Sequence, residues 1–356
     1  MKKWMALILT LCMALSLCAC GGGQSAASGG GDSASGGSGS SGGSGESSDG
    51  VITVKYAVTF PGTGTQAEGA EKMKELIEEY SEGRMQVEIY YSSQLGGNTE
   101  SMEGLRQGTI EMTELSLTAI SAYSDIWSTF SLPYLWNSGK EAVDVISSDK
   151  VMEVLEADVE NNGMMIFAWQ NLGARSILST KNAVNVPADM KGMRIRVIED
   201  PTLVDSINAM GGSAVAMAWS ECYSGLEQGT IDGLENNSPV IVANAMYEVG
   251  KYYSLTEQFI MPDPVLMSAS WFNSLSAENQ EALRKAGEEY TRVWNEEIWP
   301  DAEEEALQTI KDAGVAVNEV DKAAFVEATQ SVRDDFVTKG SEGQANLYNL
   351  LMEVKG

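Results

Sequence analysis

Histidine is absent from all 356 residues of the sequence. It is the usual general base near neutral pH, the usual partner of a nucleophilic serine or cysteine, and the commonest metal ligand. Its absence therefore argues against most hydrolase and metalloenzyme classes. Walker motifs and Cys/His metal spacings are absent as well, so we expect neither a cofactor nor a metal.

Basic residues are also scarce, with 23 Lys and Arg against 51 Asp and Glu and a net charge of -28. Nucleic acid is excluded as a partner, because contacts to phosphates need basic patches. Charge alone would also keep the chain away from anionic lipid surfaces. Any site for an anion must be a basic pocket that is built locally in an acidic molecule.

Three of the four cysteines lie within the first 20 residues. Lys2 and Lys3 precede an apolar run over residues 4–17, which is too short to span a membrane and is typical of a secretory signal. We expect residues 1–19 to be removed as a signal peptide. The segment Leu-Cys-Ala-Cys ending at Cys20 resembles a bacterial lipobox, which implies lipidation of Cys20 and anchoring to the outer face of the cytoplasmic membrane. The alternative is a secreted protein with an incidental cysteine.

The remaining cysteine, Cys222, has no partner for a disulfide in the mature chain, and we expect it to be a small buried hydrophobe. Residues 21–50 are almost entirely Gly and Ser, a composition typical of a flexible tether. The rest of the chain is longer than one ordinary domain, which favours two lobes.

Periodicity predicts an α/β fold with two sheets. Residues 51–58 alternate as a strand, residues 67–80 carry the apolar stripe of a helix, and residues 85–91 form a second strand, so the first sheet should be parallel. A second series of short strands and helices begins near residue 193. The other predicted elements are a helix from about 99, a strand near 110, a helix over 141–159, strands over 164–169, 193–197, 214–218, 231–234 and 263–272, and helices over 201–210, 221–228, 322–338 and 342–354.

A long helical pattern runs over residues 276–313 and is interrupted only by Pro300. Ser276 is predicted to cap its start, and Pro300 is predicted to kink it. A helix of roughly 35 residues would be about 50 Å long at 1.5 Å per residue, so we expect it to lie across both lobes.

Three arginines fall within one short window, at Arg175, Arg194 and Arg196. Alternation along the strand over residues 193–197 places Arg194 and Arg196 on one side, with Arg196 nearer the carboxyl end, where open α/β sheets hold ligands. A guanidinium matches a carboxylate through two parallel hydrogen bonds. On alternation alone, the alternative is a set of surface arginines paired with the abundant acids.

Four separated segments resemble the solute receptors of tripartite ATP-independent periplasmic (TRAP) transporters. They occur in the family's order and span nearly all of the chain after the tether. The segments are YYSSQLGG at 90–97 with EGLRQGTIEM at 103–112, LPYLW at 132–136, VPADMKGMRIRV at 186–197, and MAWSECYSGLEQGTIDGLEN at 217–236.

The resemblance implies a two-lobed periplasmic-binding-protein fold, a ligand cleft between the lobes and a long helix that spans both. We expect lobe I to comprise residues 51–173 and about 262–300, and lobe II residues 174–261 and about 301–356. The implied protein is a monomeric, extracytoplasmic receptor rather than an enzyme. Its partners would be a small carboxylate solute, such as a C4-dicarboxylate or a hexuronate, and the small and large membrane subunits of an ion-gradient-driven transporter.

The resemblance also implies roles for four residues of lobe II. Arg196 matches the arginine that clamps the ligand carboxylate, and Arg175 matches a second arginine near the pocket, at an interval one residue longer than in relatives. Asn236 matches a ligand-contacting asparagine, and Trp219 an aromatic ring that lies along the ligand. The alternatives are that Trp219 is a core residue and that Asn236 is a turn residue.

Two further positions are candidates for contacts with the ligand. Ser116 falls near a pocket-lining position of the family. Glu199 stands where some relatives have asparagine, so it could accept hydroxyl groups of a sugar acid, balance Arg175, or, with Asp200, favour the start of a helix. The loop over residues 61–65 is expected to reach the cleft from lobe I.

Three other functions are compatible with parts of the sequence. Residues 62–67 (GTGTQA) follow a strand and open a helix as a dinucleotide-binding turn does, but the second strand ends in tyrosines and not in the expected acid. An exported enzyme acting on sugar acids could use paired carboxylates such as Glu199, Asp200 or Glu221. A sensor that presents its ligand to a membrane kinase would share the receptor fold.

Overall fold

The computed structural model describes residues 50–356. The predicted signal peptide, the lipidation of Cys20 and nearly all of the tether lie outside this range. In the described part, no helix is both long enough and apolar enough to cross a membrane.

Eleven strands in the described part form two sheets, as the sequence predicts. The first sheet has the order β2-β1-β3-β10-β4, and the second has the order β11-β9-β5-β8-β6-β7. The strands are β1 (Ile52–Ala57), β2 (Met85–Tyr90), β3 (Met112–Glu114), β4 (Met164–Gln170), β5 (Ala174–Ser179), β6 (Arg194–Val197), β7 (Ser213–Ala216), β8 (Gly233–Asn236), β9 (Tyr252–Ile260), β10 (Asp263–Ser268) and β11 (Ala316–Asn318).

Helices surround both sheets, and short 3₁₀ turns occur at Asp125–Ser131, Pro187–Met190, Trp219–Glu221 and Met246–Glu248. The α-helices are α1 (Thr65–Tyr80), α2 (Asn98–Gln107), α3 (Leu117–Ile120), α4 (Gly139–Ile146), α5 (Asp149–Asn161), α6 (Pro201–Ala209), α7 (Cys222–Glu227), α8 (Ser238–Ala243), α9 (Ala269–Ser274), α10 (Ala277–Val293), α11 (Trp299–Asp312), α12 (Lys322–Ala328), α13 (Gln330–Lys339) and α14 (Glu342–Lys355).

Parallel pairing of β1 with β2 and with β3 confirms the prediction for the start of the chain. In the second sheet, β6 is parallel to both of its neighbours, β7 and β8. A strand between two parallel neighbours is buried on both faces, which explains why all of β6 except Arg194 is buried. This interior strand, next to the edge strand β7, carries Arg196.

The long helix packs against both sheets, with α10 on α1 and β4 and α11 on α8 and β11. Ser276 caps it as predicted, because its side chain accepts a hydrogen bond from the backbone N–H of Asn279. The helix is irregular at Trp294–Ile298, where a π-helical turn precedes Pro300. Pro300 has no N–H to donate to the preceding turn, so the helix widens there.

Several predicted elements differ from the observed ones at their ends. The predicted helix over 141–159 is two helices, α4 and α5, separated at Ser147 and Ser148. The predicted strand over 263–272 ends at Ser268, whose side chain caps α9 by accepting from the N–H of Trp271. Strands β5, β9 and β11 lack a clear alternating pattern and were missed.

The C-terminal helices contact both halves of the molecule. Helix α12 packs on β9 of the second sheet, whereas α14 packs on α4 and α5 beside the first sheet. The largest buried cluster is likewise shared, since it contains Trp169 of β4 and Ile195 of β6. The lobe boundaries at residues 173, 262 and 300 stay a prediction, and residues 342–355 contact the helices of the predicted first lobe.

Candidate functional site

Arg196 is a buried residue on β6, an interior strand of the second sheet, and 3% of its surface is exposed. Its Nε donates a hydrogen bond to the carbonyl oxygen of Met217 at 2.9 Å. Its guanidinium carbon lies 5.4 Å from the centroid of the Trp219 ring, a cation–π distance. Within residues 50–356, no carboxylate forms a salt bridge with it.

This arrangement is unusual for a protein with more than twice as many acids as bases. Burial lowers the pKa of Arg196, and the more distant carboxylates of Glu235 and Glu199 act in the opposite direction. A buried charge without a partner is destabilising, and an anion that enters the site removes that cost. Arg196 therefore has the burial and free hydrogen-bonding capacity that a carboxylate-binding residue needs.

Arg175, by contrast, already has a carboxylate. It lies on β5 and forms a salt bridge with Glu235 on the neighbouring strand β8. Its Nη2 lies 3.1 Å from the Oε1 of Glu235 and 3.1 Å from the carbonyl oxygen of the same residue. Burial acts to lower the pKa of Arg175, but Glu235 outweighs it, and the pKa is raised. The expectation that Glu199 could balance Arg175 is wrong, because Glu235 does so.

Arg194 fits the alternative of a surface arginine paired with an acid. Its side chain is 45% exposed and its Nη2 lies 2.8 Å from the Oδ1 of Asp232. Lys181 contacts the same carboxylate oxygen at 3.0 Å. Hydrogen bonds from Arg194 hold the pKa of Asp232 well below its usual range. Of the three clustered arginines, Arg196 alone is buried and lacks a salt-bridge partner in the described range.

Trp219 and Asn236 lie on either side of this strand. Trp219 is half-buried on the turn after β7, and its Nε1 donates to the Oδ1 of Asn244 at 3.3 Å. Asn236 is buried at the end of β8, where its Oδ1 accepts from the N–H of Asn237 at 2.9 Å and its carbonyl oxygen accepts from the hydroxyl of Tyr253 at 2.9 Å. Because the Oδ1 is engaged, the Nδ2 group is the part of Asn236 that remains for a ligand.

The other two predicted residues, Ser116 and Glu199, form no hydrogen bond with Arg196 in the described range. Ser116 is half-buried beyond β3 of the first sheet, with its Oγ 3.0 Å from the hydroxyl of Thr118. Glu199 is exposed, three residues after Arg196, and makes no hydrogen bond to any residue in the range 50–356. The helix start that the sequence predicts here depends on Asp200, which accepts from the N–H groups of Thr202 and Leu203 at 2.8 and 3.2 Å.

The first sheet contributes two buried carboxyl groups that sequence reasoning missed. Glu114 ends β3 and accepts hydrogen bonds from the hydroxyl of Tyr56 at 3.2 Å and from the Nε2 of Gln66 at 2.9 Å. Asp263 begins β10, the next strand, and its Oδ1 accepts from the N–H of Leu117 at 2.9 Å. Burial raises the pKa of Glu114 to about 7 and that of Asp263 to about 8. The sequence feature that could have identified Glu114 and Asp263 is an acid within an apolar strand segment.

The loop between β1 and α1 brings the first sheet into contact with the second. Gly64 has a φ of +84°, and a Cβ built on it would lie 3.1 Å from the Cβ of Ala243 in α8. Only glycine combines this backbone conformation with such a close approach at no steric cost. Gln66 lies two residues after Gly64. Asn244, which accepts a hydrogen bond from the Nε1 of Trp219, directly follows Ala243. The loop therefore contacts helix α8 beside the second sheet, and its expected approach to a ligand cleft stays a prediction.

Other parts of the described structure add no competing centre. No group of His, Cys, Asp and Glu there is arranged to hold a metal ion. Cys222 is buried, as predicted, and packs with Leu226 and Ile231. One open groove lies between α6 and α13 and another lies beside the start of α1, and neither is lined by Arg196. Arg196 itself is almost entirely covered by protein, with 3% of its surface exposed.

Comparison with known families and structures gives one consistent similarity. Residues 57–339 match the model of the family described as bacterial extracellular solute-binding protein, family 7 (DctP). The C4-dicarboxylate-binding periplasmic protein DctP of Rhodobacter capsulatus is 28% identical over 293 residues, covering 81% of this chain and 87% of that one.

Two solved structures have the same fold. A TRAP periplasmic solute-binding protein from Chromohalobacter salexigens with bound D-glucuronate is 28% identical, with a TM-score of 0.79 and coverage of 85% of this chain and 99% of that one. A TRAP periplasmic solute-binding protein from Sulfitobacter sp. NAS-14.1 with bound β-D-galacturonate is 29% identical, with a TM-score of 0.80 and the same coverage.

Proposed function

Since the chain belongs to bacterial extracellular solute-binding protein family 7, the DctP family of TRAP solute receptors, we propose that it captures a small organic acid between its two lobes. The proposed membrane partners are the small and large subunits of a transporter driven by an ion gradient. Lipidation at Cys20 would hold this monomeric receptor at the outer face of the cytoplasmic membrane. Proteins of this family are receptors rather than enzymes, so we expect the solute to be returned unaltered.

The observation that carries the proposal is the buried guanidinium of Arg196, which has no salt-bridge partner within residues 50–356. One carboxylate of the solute would accept two parallel hydrogen bonds from it, replacing the water that the side chain has lost. The acidic exterior makes such a site specific, because the rest of the surface repels free anions. The Trp219 ring holds the guanidinium from the side and offers an apolar face to the solute.

The other candidate residues would orient the solute around this ion pair. Asn236 offers its Nδ2 group as a donor, and Arg175, held by Glu235, offers the remaining N–H groups of its guanidinium. Ser116 approaches from the first sheet, and Glu199 lies at the exposed edge, where it could accept hydroxyl groups. We place the lobe division at the connections between β4 and β5 and between β9 and β10, where the chain passes from one sheet to the other.

We infer that the solute is a hexuronate or a closely related sugar acid. Two similar structures contain glucuronate and galacturonate, whereas the relative from Rhodobacter capsulatus is named for C4-dicarboxylates. A pyranose ring has an apolar face that suits the half-buried Trp219, and hydroxyl groups that suit Asn236 and Glu199. A C4-dicarboxylate has no ring face to lie along Trp219, and its second carboxylate cannot donate a hydrogen bond to Glu199.

Isothermal titration of D-glucuronate and D-galacturonate into Arg196→Ala tests the mechanism. Loss of one partner of a buried charge pair costs about 3 to 5 kcal/mol, which is roughly a hundredfold to several thousandfold in affinity. Arg194→Ala is the matched control, because it removes an arginine two residues away on the same strand and should leave binding within about threefold. Equal affinity of Arg196→Ala and the unaltered protein would contradict the proposal.

A further inference from the structure

The Trp219 ring packs on Arg196 and also forms a hydrogen bond through its edge. The guanidinium carbon of Arg196 lies 5.4 Å from the ring centroid, and the Nε1 of Trp219 donates to the Oδ1 of Asn244 at 3.3 Å. The torsion that rotates an indole about its Cβ–Cγ bond has broad minima, so the backbone alone does not fix the plane of the ring. The hydrogen bond to Asn244 is therefore a direct restraint on the face that Trp219 turns toward Arg196.

Asn244 is held in place by the end of its own helix. It is the C-cap residue of α8, and both its backbone N–H and its Nδ2 donate to the carbonyl oxygen of Val240, at 3.2 and 2.9 Å. Because the amide group is planar, fixing the Nδ2 also fixes the direction of the acceptor Oδ1. Ala245, the next residue, has a φ of +53°, a left-handed conformation that alanine seldom adopts. A residue keeps such a conformation only where its surroundings impose it, which indicates that this turn is tightly constrained.

Helix α8 is anchored at both of its ends. The side chain of Asn237 caps its start, and the Oγ of Ser238 donates to the carbonyl oxygen of Glu303 in α11 at 3.2 Å. At the other end, Ala243 is contacted by Gly64 of the loop between β1 and α1. A short helix that is fixed from both sheets in this way is a rigid base for the side chain that follows it.

We propose that Asn244 is a positioning residue for ligand binding, whose Oδ1 sets the rotation of the Trp219 ring that packs on Arg196 and lies along the solute. The inference rests on the proposed function of Arg196 and Trp219. Asn244 forms no hydrogen bond with Arg196 within residues 50–356, so its effect on the guanidinium passes through the ring. Without the bond to Asn244 the ring is free to rotate, and a rotated ring loses contact with both the guanidinium and the sugar.

The experiment is a double-mutant cycle measured by isothermal titration of D-glucuronate and D-galacturonate. Asn244→Ala removes the acceptor, and Trp219→Phe removes the Nε1 donor while keeping an aromatic ring. Each variant should weaken binding of the preferred uronate by about threefold to tenfold, which is the effect of one hydrogen bond. The double variant should bind within about twofold of Trp219→Phe alone, because Asn244 has no donor left to hold once the indole is gone.

Asn162→Ala is the matched control. Asn162 is also a C-cap residue, at the end of α5, and its Nδ2 donates to the carbonyl oxygen of Asp158 at 3.0 Å, as that of Asn244 does to Val240. This substitution should leave the affinity for the uronate unchanged. It therefore separates the loss of a helix cap from the loss of the bond to Trp219.

A spectroscopic measurement tests the geometry without any solute. In a nitrogen–proton correlation spectrum, the indole N–H resonance that disappears in Trp219→Phe belongs to Trp219. Asn244→Ala should shift that resonance, and Asn162→Ala should not. A resonance that stays in place in Asn244→Ala would overturn the inference.

The titrations separate failure of this inference from failure of the proposed function. Unchanged affinity in Asn244→Ala, or a double variant whose loss is the product of the two single losses, would overturn the positioning role and leave the receptor function intact. Failure of the unaltered protein to bind either uronate would instead contradict the proposed function. The indole resonance would still decide whether Asn244 positions the ring.

Discussion

The two sheets differ in the kind of charge that they bury. Within the described strands, the second sheet buries Arg175 and Arg196, whereas the first buries Glu114 and Asp263 and has no arginine. Within the second sheet the two arginines differ again, because Glu235 neutralises one and leaves the other without a salt-bridge partner in the described range. The difference teaches that the affinity for an anion depends on the charge left uncompensated, not on the number of arginines.

The largest effect on stability should come from Glu235→Ala, which removes the partner of Arg175. The carboxylate is fully buried, so its loss leaves Arg175 with the same unmet charge as Arg196, at a cost of about 3 to 5 kcal/mol in the free energy of unfolding. Urea denaturation measures this change. Lys140→Ala breaks an exposed pair with Asp144 and should cost less than about 0.5 kcal/mol. If Glu235→Ala and Lys140→Ala lowered the free energy of unfolding by similar amounts, Arg175 would not depend on Glu235 for neutralisation.

A smaller effect should appear in the dependence of stability on pH. Glu114 and Asp263 have pKa values near 7 and 8 in the folded state, above their ordinary values of 4.5 and 3.8. The folded state therefore holds protons that the unfolded state has released. This stabilising contribution is complete below about pH 4 and is lost as the pH rises through about 7 to 8.

The free energy of unfolding at pH 5 should accordingly exceed that at pH 8.5 by about 2 kcal/mol or more. The sequence has no histidine, so no imidazole titrates in this interval. Glu114→Gln and Asp263→Asn should each flatten the slope, and Glu103→Gln should not. A stability that is constant or rises over this interval would show that the acids of the first sheet are ionised in the folded protein.

The smallest effect concerns the contact between Trp219 and Arg196. Trp219→Leu keeps an apolar side chain but removes the cation–π interaction, which is worth about 0.5 to 2 kcal/mol. Affinity for D-glucuronate, measured by titration calorimetry, should fall about threefold to thirtyfold. Trp271→Leu, on α9 of the first-sheet side, serves as the control. If Trp219→Leu lost more affinity for D-glucuronate than Arg196→Ala, the ring and not the guanidinium would make the larger contribution to binding.

The sequence predicted the fold class and the two sheets, and the comparisons confirm that the chain belongs to the receptor family. Patterns with a strong local cause were predicted well, such as the Ser276 cap. Strands β5 and β9 were missed because strands buried on both faces lose their alternation. The kink predicted at Pro300 is a π-helical turn at Trp294–Ile298, because a proline disturbs the turn before it.

The site was less predictable, because pairing across strands is invisible in the sequence. Nothing near Arg175 in the sequence indicates Glu235, which lies 60 residues away and becomes its partner through the pairing of β5 with β8. The hydrogen bond between Gln66 and Glu114 likewise joins residues 48 positions apart. The roles of Arg196, Asn236, Trp219, Glu199 and Ser116 in binding stay predictions that the titrations decide.

The π turn at Trp294–Ile298 has a mechanical consequence. Helix α10 packs beside the first sheet and α11 beside the second. Each helix should therefore move with the sheet that it contacts. A wider turn has weaker backbone hydrogen bonds than the regular helix on either side, and it is the most compliant point of the whole length. Any rotation between the sheets therefore bends this joint first, and Trp294, fully buried beside Trp299, moves with it. Tryptophan emission should consequently report loading of the receptor without an added label.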